Sequence, residues 1–323
     1  MARILTLTLN PALDLTVRAG GTLRLGEVNR TESTRIDAAG KGINVARVLA
    51  KLGHDVTVSG LLGANNETDF VRAFAACGLR DAFIRVPGET RINIKLSEAG
   101  GRVTDLNGPG LRIPASALQA LFARVDALLS AGLDAVVISG SLPQGIPLST
   151  PSDLITRIRE HQVPAWLDTS GAALVAGLAA RPSGVKPNDL ELADWAGHPL
   201  DTYEARLRAA RRLHDDGIAD VLLSLGSEGV LWASDGAALT ATPPPVSVVS
   251  TVGAGDTLLA GTLHGVLSGW PRERVLRFAT ALAAESVRHI GVGEPDAVDF
   301  EQLHQHTLVQ SLSMDPSAGE THP

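Results

Sequence analysis

Several stretches of this chain set carboxylates and cations beside bare backbone amides, a combination suited to moving a phosphoryl group. In Ser250-Thr251-Val252-Gly253-Ala254-Gly255-Asp256-Thr257-Leu258, an Asp directly follows a Gly-Ala-Gly turn that opens an apolar helical stretch. A helix N-terminus binds anions because its first N–H groups lack intrahelical partners and the macrodipole adds about half a positive charge. If the guest is a nucleotide phosphate, Asp256 stands where a general base for the acceptor hydroxyl is needed. The bland alternative is a Gly-rich turn followed by a helix capped by Asp.

Five further constellations carry polar chemistry. Asn10-Pro11-Ala12-Leu13-Asp14 follows the first strand and puts Asp14 at the carboxyl end of a sheet, either to accept sugar hydroxyls or merely to cap a turn. Gly40-Lys41-Gly42-Ile43-Asn44 opens an amphipathic helix and offers amides, an ammonium and a carboxamide to an anionic or hydroxylated guest. It is not a P-loop, since the G-x-x-x-x-G-K-[ST] spacing is absent. Thr90-Arg91-Ile92-Asn93-Ile94-Lys95 alternates, so Arg91, Asn93 and Lys95 share one strand face that suits a phosphate monoester, or is simply solvated. Asn188 and Glu191 lie three apart at a helix start, where they either order a hydrated magnesium ion or form a capping box. Ser224-Leu225-Gly226-Ser227-Glu228-Gly229 is a small-residue turn that lets a flat ring or ribose approach the backbone.

The elements that must position these residues follow from periodicity. Short apolar runs at 3–9, 56–62, 135–138, 165–167 and 221–225 alternate with helical patterns, which predicts a parallel sheet covered by helices on both faces. Leu118, Leu121, Phe122, Val125, Leu128 and Leu129 form one stripe of a helix over 114–131. Segments 13–36 and 82–105 show β-rich polar alternation and Gly-Gly turns without helix, and predict a small β lobe over one edge of the main sheet. Such a lobe serves as a lid that excludes water, and its exposed edge invites dimerisation. The chain reads as a single domain over 1–312, with 313–323 expected to be a disordered tail.

Composition excludes several classes. The 323 residues are 44% hydrophobic and 20% charged, an ordinary soluble globular balance. A net charge of -7 argues against nucleic-acid binding by phosphate neutralisation. The apolar N-terminal run is broken by Asn10-Pro11 well short of a signal peptide or membrane span. The single Cys77, expected to be buried on a helix, excludes an intrachain disulfide and a Cys-based zinc cage, and fits a reducing cytosol. A dinucleotide oxidoreductase would show G-x-G-x-x-G after the first strand, where Asn10-Pro11 stands instead.

Taken in order, the motifs at 10–14, 40–47, 139–143 (Ser-Gly-Ser-Leu-Pro), 185–191 (Val-Lys-Pro-Asn-x-x-Glu), 224–226 and 250–256 resemble the ribokinase-like (phosphofructokinase-B) sugar kinases. The resemblance covers about residues 3 to 310 and implies a three-layer α/β/α fold, with a central mostly parallel sheet and a small β lid lobe. It implies that Asp256 deprotonates the acceptor while the amides of Gly253, Ala254 and Gly255 hold the transferring phosphoryl group. Asp14, Gly40, Lys41, Asn44, Arg91, Asn93 and Ser139 would bind the phosphosugar. ATP would lie along Lys186, Ser224, Gly226, Ser227, Gly229, Thr251 and Gly255, with Asn188 and Glu191 ordering Mg2+ through water. Some relatives hold a monovalent cation, K+, with carbonyls beside the anion hole, for which Ser250 and Val252 match. The stretch after Glu285, with His289 and Gly291, departs from the family pattern.

Asn10-Pro11 and the Lys41 loop indicate the phosphosugar branch, and 90–95 with Thr104-Asp105-Leu106-Asn107 is most similar to its fructose-1-phosphate kinases. That similarity implies ATP-dependent phosphorylation of fructose 1-phosphate at O6. Tagatose-6-phosphate kinases share most of the remainder. The family's 6-phosphofructokinases have a Lys and an Arg in the neighbourhood where Glu27 and Asn29 stand here, which counts against fructose 6-phosphate. A sugar-phosphate sensor without catalysis is the non-enzymatic alternative. The implied setting is cytoplasmic: a homodimer through the lid, with phosphosugar and ATP as partners and neither nucleic acid nor membrane.

Overall fold

The computed structural model describes residues 1–312 apart from Gly101 and Gly236, and the expected tail at 313–323 lies outside the described residues. The chain forms β1 (Arg3–Thr8), β2 (Ala12–Ala19) and β3 (Thr31–Ala39) before its first helix, α1 (Lys41–Lys51). Next come β4 (Asp55–Gly63), α2 (Thr68–Ala76), the short β5 (Arg80–Asp81) and β6 (Ile84–Val86), then β7 (Ile92–Ser97) and β8 (Val103–Leu106). Helix and strand then alternate through α3 (Ala115–Ser130), β9 (Ala135–Ser139), α4 (Thr150–Glu160), β10 (Ala165–Asp168), α5 (Gly171–Ala179) and β11 (Gly184–Val185). After α6 (Asp189–Ala196) and α7 (Tyr203–Asp215), the strands β12 (Asp220–Ser224), β13 (Val230–Ser234) and β14 (Ala237–Thr242) follow. Helices α8 (Ala254–Leu267), α9 (Arg272–Ser286) and α10 (Phe300–His306) precede β15 (Leu308–Leu312).

Strands β5, β4, β1, β9, β10, β11 and β12 lie side by side and parallel, β6 joins β4, and β13, β14 and β15 extend the β12 side antiparallel. This is the expected mostly parallel sheet. Period-2 alternation splits each strand between two cores. Leu5 and Leu7 of β1 pack with Leu121, Leu154 and Leu174 from α3, α4 and α5. Ile4 packs on the other face with Ile43, Phe70 and Leu263 from α1, α2 and α8. The strand order turns back at β1, whose neighbours are β4 and β9. A switch of that kind opens a crevice at the carboxyl ends of the strands, the usual ligand position in such sheets.

The lid is a separate sheet in the order β3-β2-β7-β8. It differs from the expectation in two ways. Of the expected second segment, 82–105, Ile84–Val86 pair with β4 and belong to the main sheet, as do Arg80–Asp81 just before it, so the second lid segment begins at Ile92. The lobe also rises from β1, an interior strand, rather than from an edge, since only residues 9–11 separate β1 from β2. Cys77 is partly exposed at the C-terminal cap of α2 instead of buried within it. Among the described residues no helix is long and apolar enough to cross a membrane.

Candidate active site

The turn before α8 is built around Gly253, which caps the helix with φ of 85°, a left-handed conformation that a side chain disfavours. A β-carbon there would also meet the Gly291 carbonyl at 3.0 Å. Of the three amides assigned to the anion hole, that of Ala254 donates to the Thr251 carbonyl at 3.3 Å. Asp256 follows in the first turn, 5% exposed, and accepts a hydrogen bond from Asn44 Nδ2 at 2.8 Å. Burial pushes its carboxyl up to about 6, and the like charge of Asp168 adds to the shift against Lys41, Asn44 and Lys186. Asn44 thus orients the proposed base.

Helix α1 delivers Lys41 and Asn44 because its start is pressed onto β1. Gly40 has φ of 143°, and a β-carbon on Gly42 would stand 2.5 Å from Thr8 Oγ1. Lys41 Nζ donates to Asp168 Oδ1 at 3.0 Å, and Lys186 Nζ lies 3.5 Å from the same oxygen. Burial opposes the Lys41 charge, yet the carboxylates of Asp168, Asp256 and Glu191 outweigh it and raise its pKa. Asp168 is fully buried; burial opposes its charge, but Lys186 and Lys41 overcome that and lower its pKa. Lys186 Nζ also lies 3.2 Å from the position a β-carbon on Gly255 would occupy, which places this ammonium beside the first turn of α8. Sequence reasoning missed Asp168; the legible signal was an acid closing the apolar run Trp166-Leu167 at the carboxyl end of a strand.

On the lid, the β2–β7 register sets Asp14 opposite Asn93. Asn93 Nδ2 donates to Asp14 Oδ1 at 3.0 Å, and Lys95 Nζ stands 3.5 Å from Asp14 and 3.6 Å from Asp105. Lys95 is therefore ion-paired rather than merely solvated. Arg91 donates to the carbonyls of Asn10, Pro11 and Gly108 at 3.0, 3.3 and 3.4 Å, which ties the lid to the end of β1. Ser139 stands opposite Asp168 in the β9–β10 register, and its hydroxyl is buried without a hydrogen-bond partner, while Ser141 accepts from Asn10 Nδ2 at 3.1 Å.

A cleft of about 790 Å³ adjoins the α8 start. Ser224, Gly226, Ser227, Gly229, Thr251 and Gly255 line it as expected for a nucleotide. Pro243 to Val246 and the small residues Thr280, Ala283 and Ala284 of α9 form walls not anticipated from sequence. Asn188 and Glu191 make a reciprocal capping box: Asn188 Oδ1 accepts from the Glu191 amide at 2.7 Å and Glu191 Oε2 from the Asn188 amide at 2.9 Å. The box engages Oε2 and leaves Glu191 Oε1 outside it. Among the described residues no three His, Cys, Asp or Glu gather as a cage. A divalent ion would thus be held through waters and nucleotide phosphates, the usual habit of magnesium.

An apolar-walled cleft, an amide turn ringed by two ammonium groups, a buried carboxylate of raised pKa and a polar lid together define a kinase of small hydroxylated substrates. The chain belongs to the pfkB family of carbohydrate kinases, whose profile matches residues 8–298. It is 43% identical over 310 residues to the 1-phosphofructokinase of Vibrio cholerae, covering 96% of this chain and 97% of the relative. It is 45% identical over 295 residues to that of Escherichia coli K12, covering 91% and 94%. Phosphofructokinase-2 from Escherichia coli, solved in complex with potassium, superposes with a TM-score of 0.86 at 28% identity, covering 94% of this chain and 99% of the neighbour. That neighbour has also been solved in a tetrameric inhibited form. ATP and a divalent metal are the family's co-reactants.

Proposed function

We propose that this chain transfers the γ-phosphoryl group of ATP to O6 of fructose 1-phosphate, yielding fructose 1,6-bisphosphate and ADP. The observation that carries the reading is Asp256, a buried carboxylate with pKa of about 6 directly after the cleft-lining Ala254 and Gly255, oriented by Asn44. Its Oδ atoms take the O6 proton as O6 bonds to the γ-phosphorus and the bridge to the β-phosphate breaks. The Gly253 and Gly255 amides, with Lys41 and Lys186, offset the charge on the transferring group. Asp14 accepts sugar hydroxyls, and Asn93 and Lys95 face the phosphosugar from the lid, aided by Arg91, the Gly40 loop and Ser139 at the end of β9. Mg2+, ordered through water by Asn188 and Glu191, supplies charge neutralisation on the nucleotide phosphates.

The first lid turn favours fructose 1-phosphate over fructose 6-phosphate. Asn29 spends its side chain on the backbone of Arg24 and Glu27, and Glu27 pairs with Arg24 at 3.0 Å. The decisive experiment compares kcat/KM, by coupled ADP release, for fructose 1-phosphate, fructose 6-phosphate and tagatose 6-phosphate with ATP and magnesium. A preference for either 6-phosphate overturns the acceptor; no ADP release from any of them leaves a sensor.

Three finer readings belong with this one. Residues 1–312 act as one kinase domain, working in the cytoplasm with its metabolite substrates. The carbonyls of Ser250 and Val252 hold K+ beside the hole, so replacing potassium by tetramethylammonium lowers turnover. The lid pairs two copies through its outer face, where Leu15 lies opposite Ile36 and Ile94 opposite Leu106, with Ile36 and Leu106 more than half exposed.

A further inference from the structure

Residues 287–294, which follow α9, touch the Gly253 turn on three sides. The Val287 carbonyl accepts from the amides of Val249 and Ser250 at 2.7 and 3.1 Å. The Gly291 carbonyl packs against Gly253, and the Gly293 amide donates to Thr257 Oγ1 at 3.1 Å. Glu285 holds this segment. Its carboxylate is 3% exposed in the last turn of α9, where the helix dipole disfavours negative charge and burial adds to the cost. Both oxygens are engaged: Oε1 accepts from His289 Nε2 at 2.9 Å and Oε2 from the Glu294 amide at 2.7 Å. The Glu294 side chain in turn pairs with Lys51 of α1, the helix that carries Lys41 and Asn44. A carboxylate buried against both penalties, with every bond spent on one loop, acts through what that loop holds in place.

We propose that Glu285 and His289 are positioning residues for phosphoryl transfer: they fix the wall behind Gly253 so that the amides of Gly253 and Gly255 converge on the transferring group. The proposal rests on reading that turn as the anion hole. Amide donors help the transition state only when they are held beforehand, and a displacement of about 1 Å costs roughly a hundredfold. Of this segment only Val287, next to the end of α9, lines the nucleotide cleft, and none of its residues belongs to the lid sheet, so the ground-state contacts of ATP and sugar lie largely outside it.

The test is steady-state kinetics on variants whose folding is checked by thermal melting. Glu285→Ala is expected to lower kcat by about tenfold to a hundredfold, with KM for both substrates within about threefold of the parent. Glu285→Gln retains an acceptor for the Glu294 amide and a donor for a neutral His289 ring, so it is expected to stay within about threefold of the parent kcat. His289→Ala, at a partly exposed ring, gives an intermediate loss and carries the test if Glu285→Ala does not fold. Parent-like kcat with only a lower Tm, parallel rises in both KM values, or no rescue by Gln overturns the proposal. Rates are read with whichever phosphosugar the parent turns over, alongside Asp256→Asn. Unchanged turnover in Asp256→Asn rejects the site itself, whereas unchanged turnover in Glu285→Ala beside an inactive Asp256→Asn rejects only the positioning role.

Discussion

Asp256 works under opposing forces, and its chemistry follows from their balance. Burial and Asp168 raise its pKa to about 6, while Lys41, Asn44 and Lys186 keep it from rising further. A base must be ionised, so kcat/KM is expected to fall about tenfold per pH unit below about pH 6, as a pH-rate profile will show. The stability sign is opposite: a carboxyl raised in the folded state withdraws stability as pH climbs from the unfolded value of about 4 to about 6. Asp256→Asn preserves an acceptor for Asn44 and is expected to lower kcat by at least about a hundredfold with ATP affinity nearly unchanged, as titration calorimetry and kinetics will show. Arg91→Ala removes the tie from the lid to the carbonyls of Asn10, Pro11 and Gly108. It should raise KM for the phosphosugar far more than KM for ATP, and equal effects would place Arg91 outside the sugar site.

The first turn of α1 is the most exacting element. Ala normally favours a helix over Gly by about 1 kcal/mol, yet a β-carbon on Gly42 would meet Thr8 Oγ1 at 2.5 Å and the Leu7 carbonyl at 3.1 Å. Overpacking of this kind costs about 1–3 kcal/mol, so Gly42→Ala is expected to lower both Tm and kcat. A raised Tm would show that α1 can move away from β1 freely. The Gly-Lys-Gly spacing was legible as a loop entering a helix, because glycines before an amphipathic pattern are a local signal. The reason for the second Gly, contact with a strand more than thirty residues earlier, was not. The same limit explains Ser139: its motif was visible, but burial of its hydroxyl depends on how β9 and β10 pair.

Across the molecule, the lid has two tasks on the proposed reading, closing over the sugar and pairing two copies. One face carries Asp14, Asn93 and Lys95, and the other carries Leu15, Ile36, Ile94 and Leu106. Period-2 alternation lets a single sheet serve both purposes. On the proposed lid-to-lid pairing, Ile36→Glu combined with Leu106→Glu is expected to lower the sedimentation mass of the parent to that of a monomer in analytical ultracentrifugation and to weaken phosphosugar binding through a looser lid. An unchanged sedimentation mass would move the interface elsewhere.

The sequence alone determined the alternating strands and helices, the family, and the short motifs whose chemistry is local: the Gly253-to-Asp256 turn, the Lys41 loop and the Asn188–Glu191 cap. These are readable because a helix start or a turn is specified by residues within a few positions of one another. Tertiary structure decided that Asp168, far from any motif, draws Lys41 and Lys186 together, and that Ile84–Val86, expected in the lid, join the main sheet. It also brought Glu285 and His289 behind the Gly253-to-Asp256 turn. Each of those outcomes depends on strand order and packing between segments distant in the chain, where charge and contact are set by neighbours that no local pattern names.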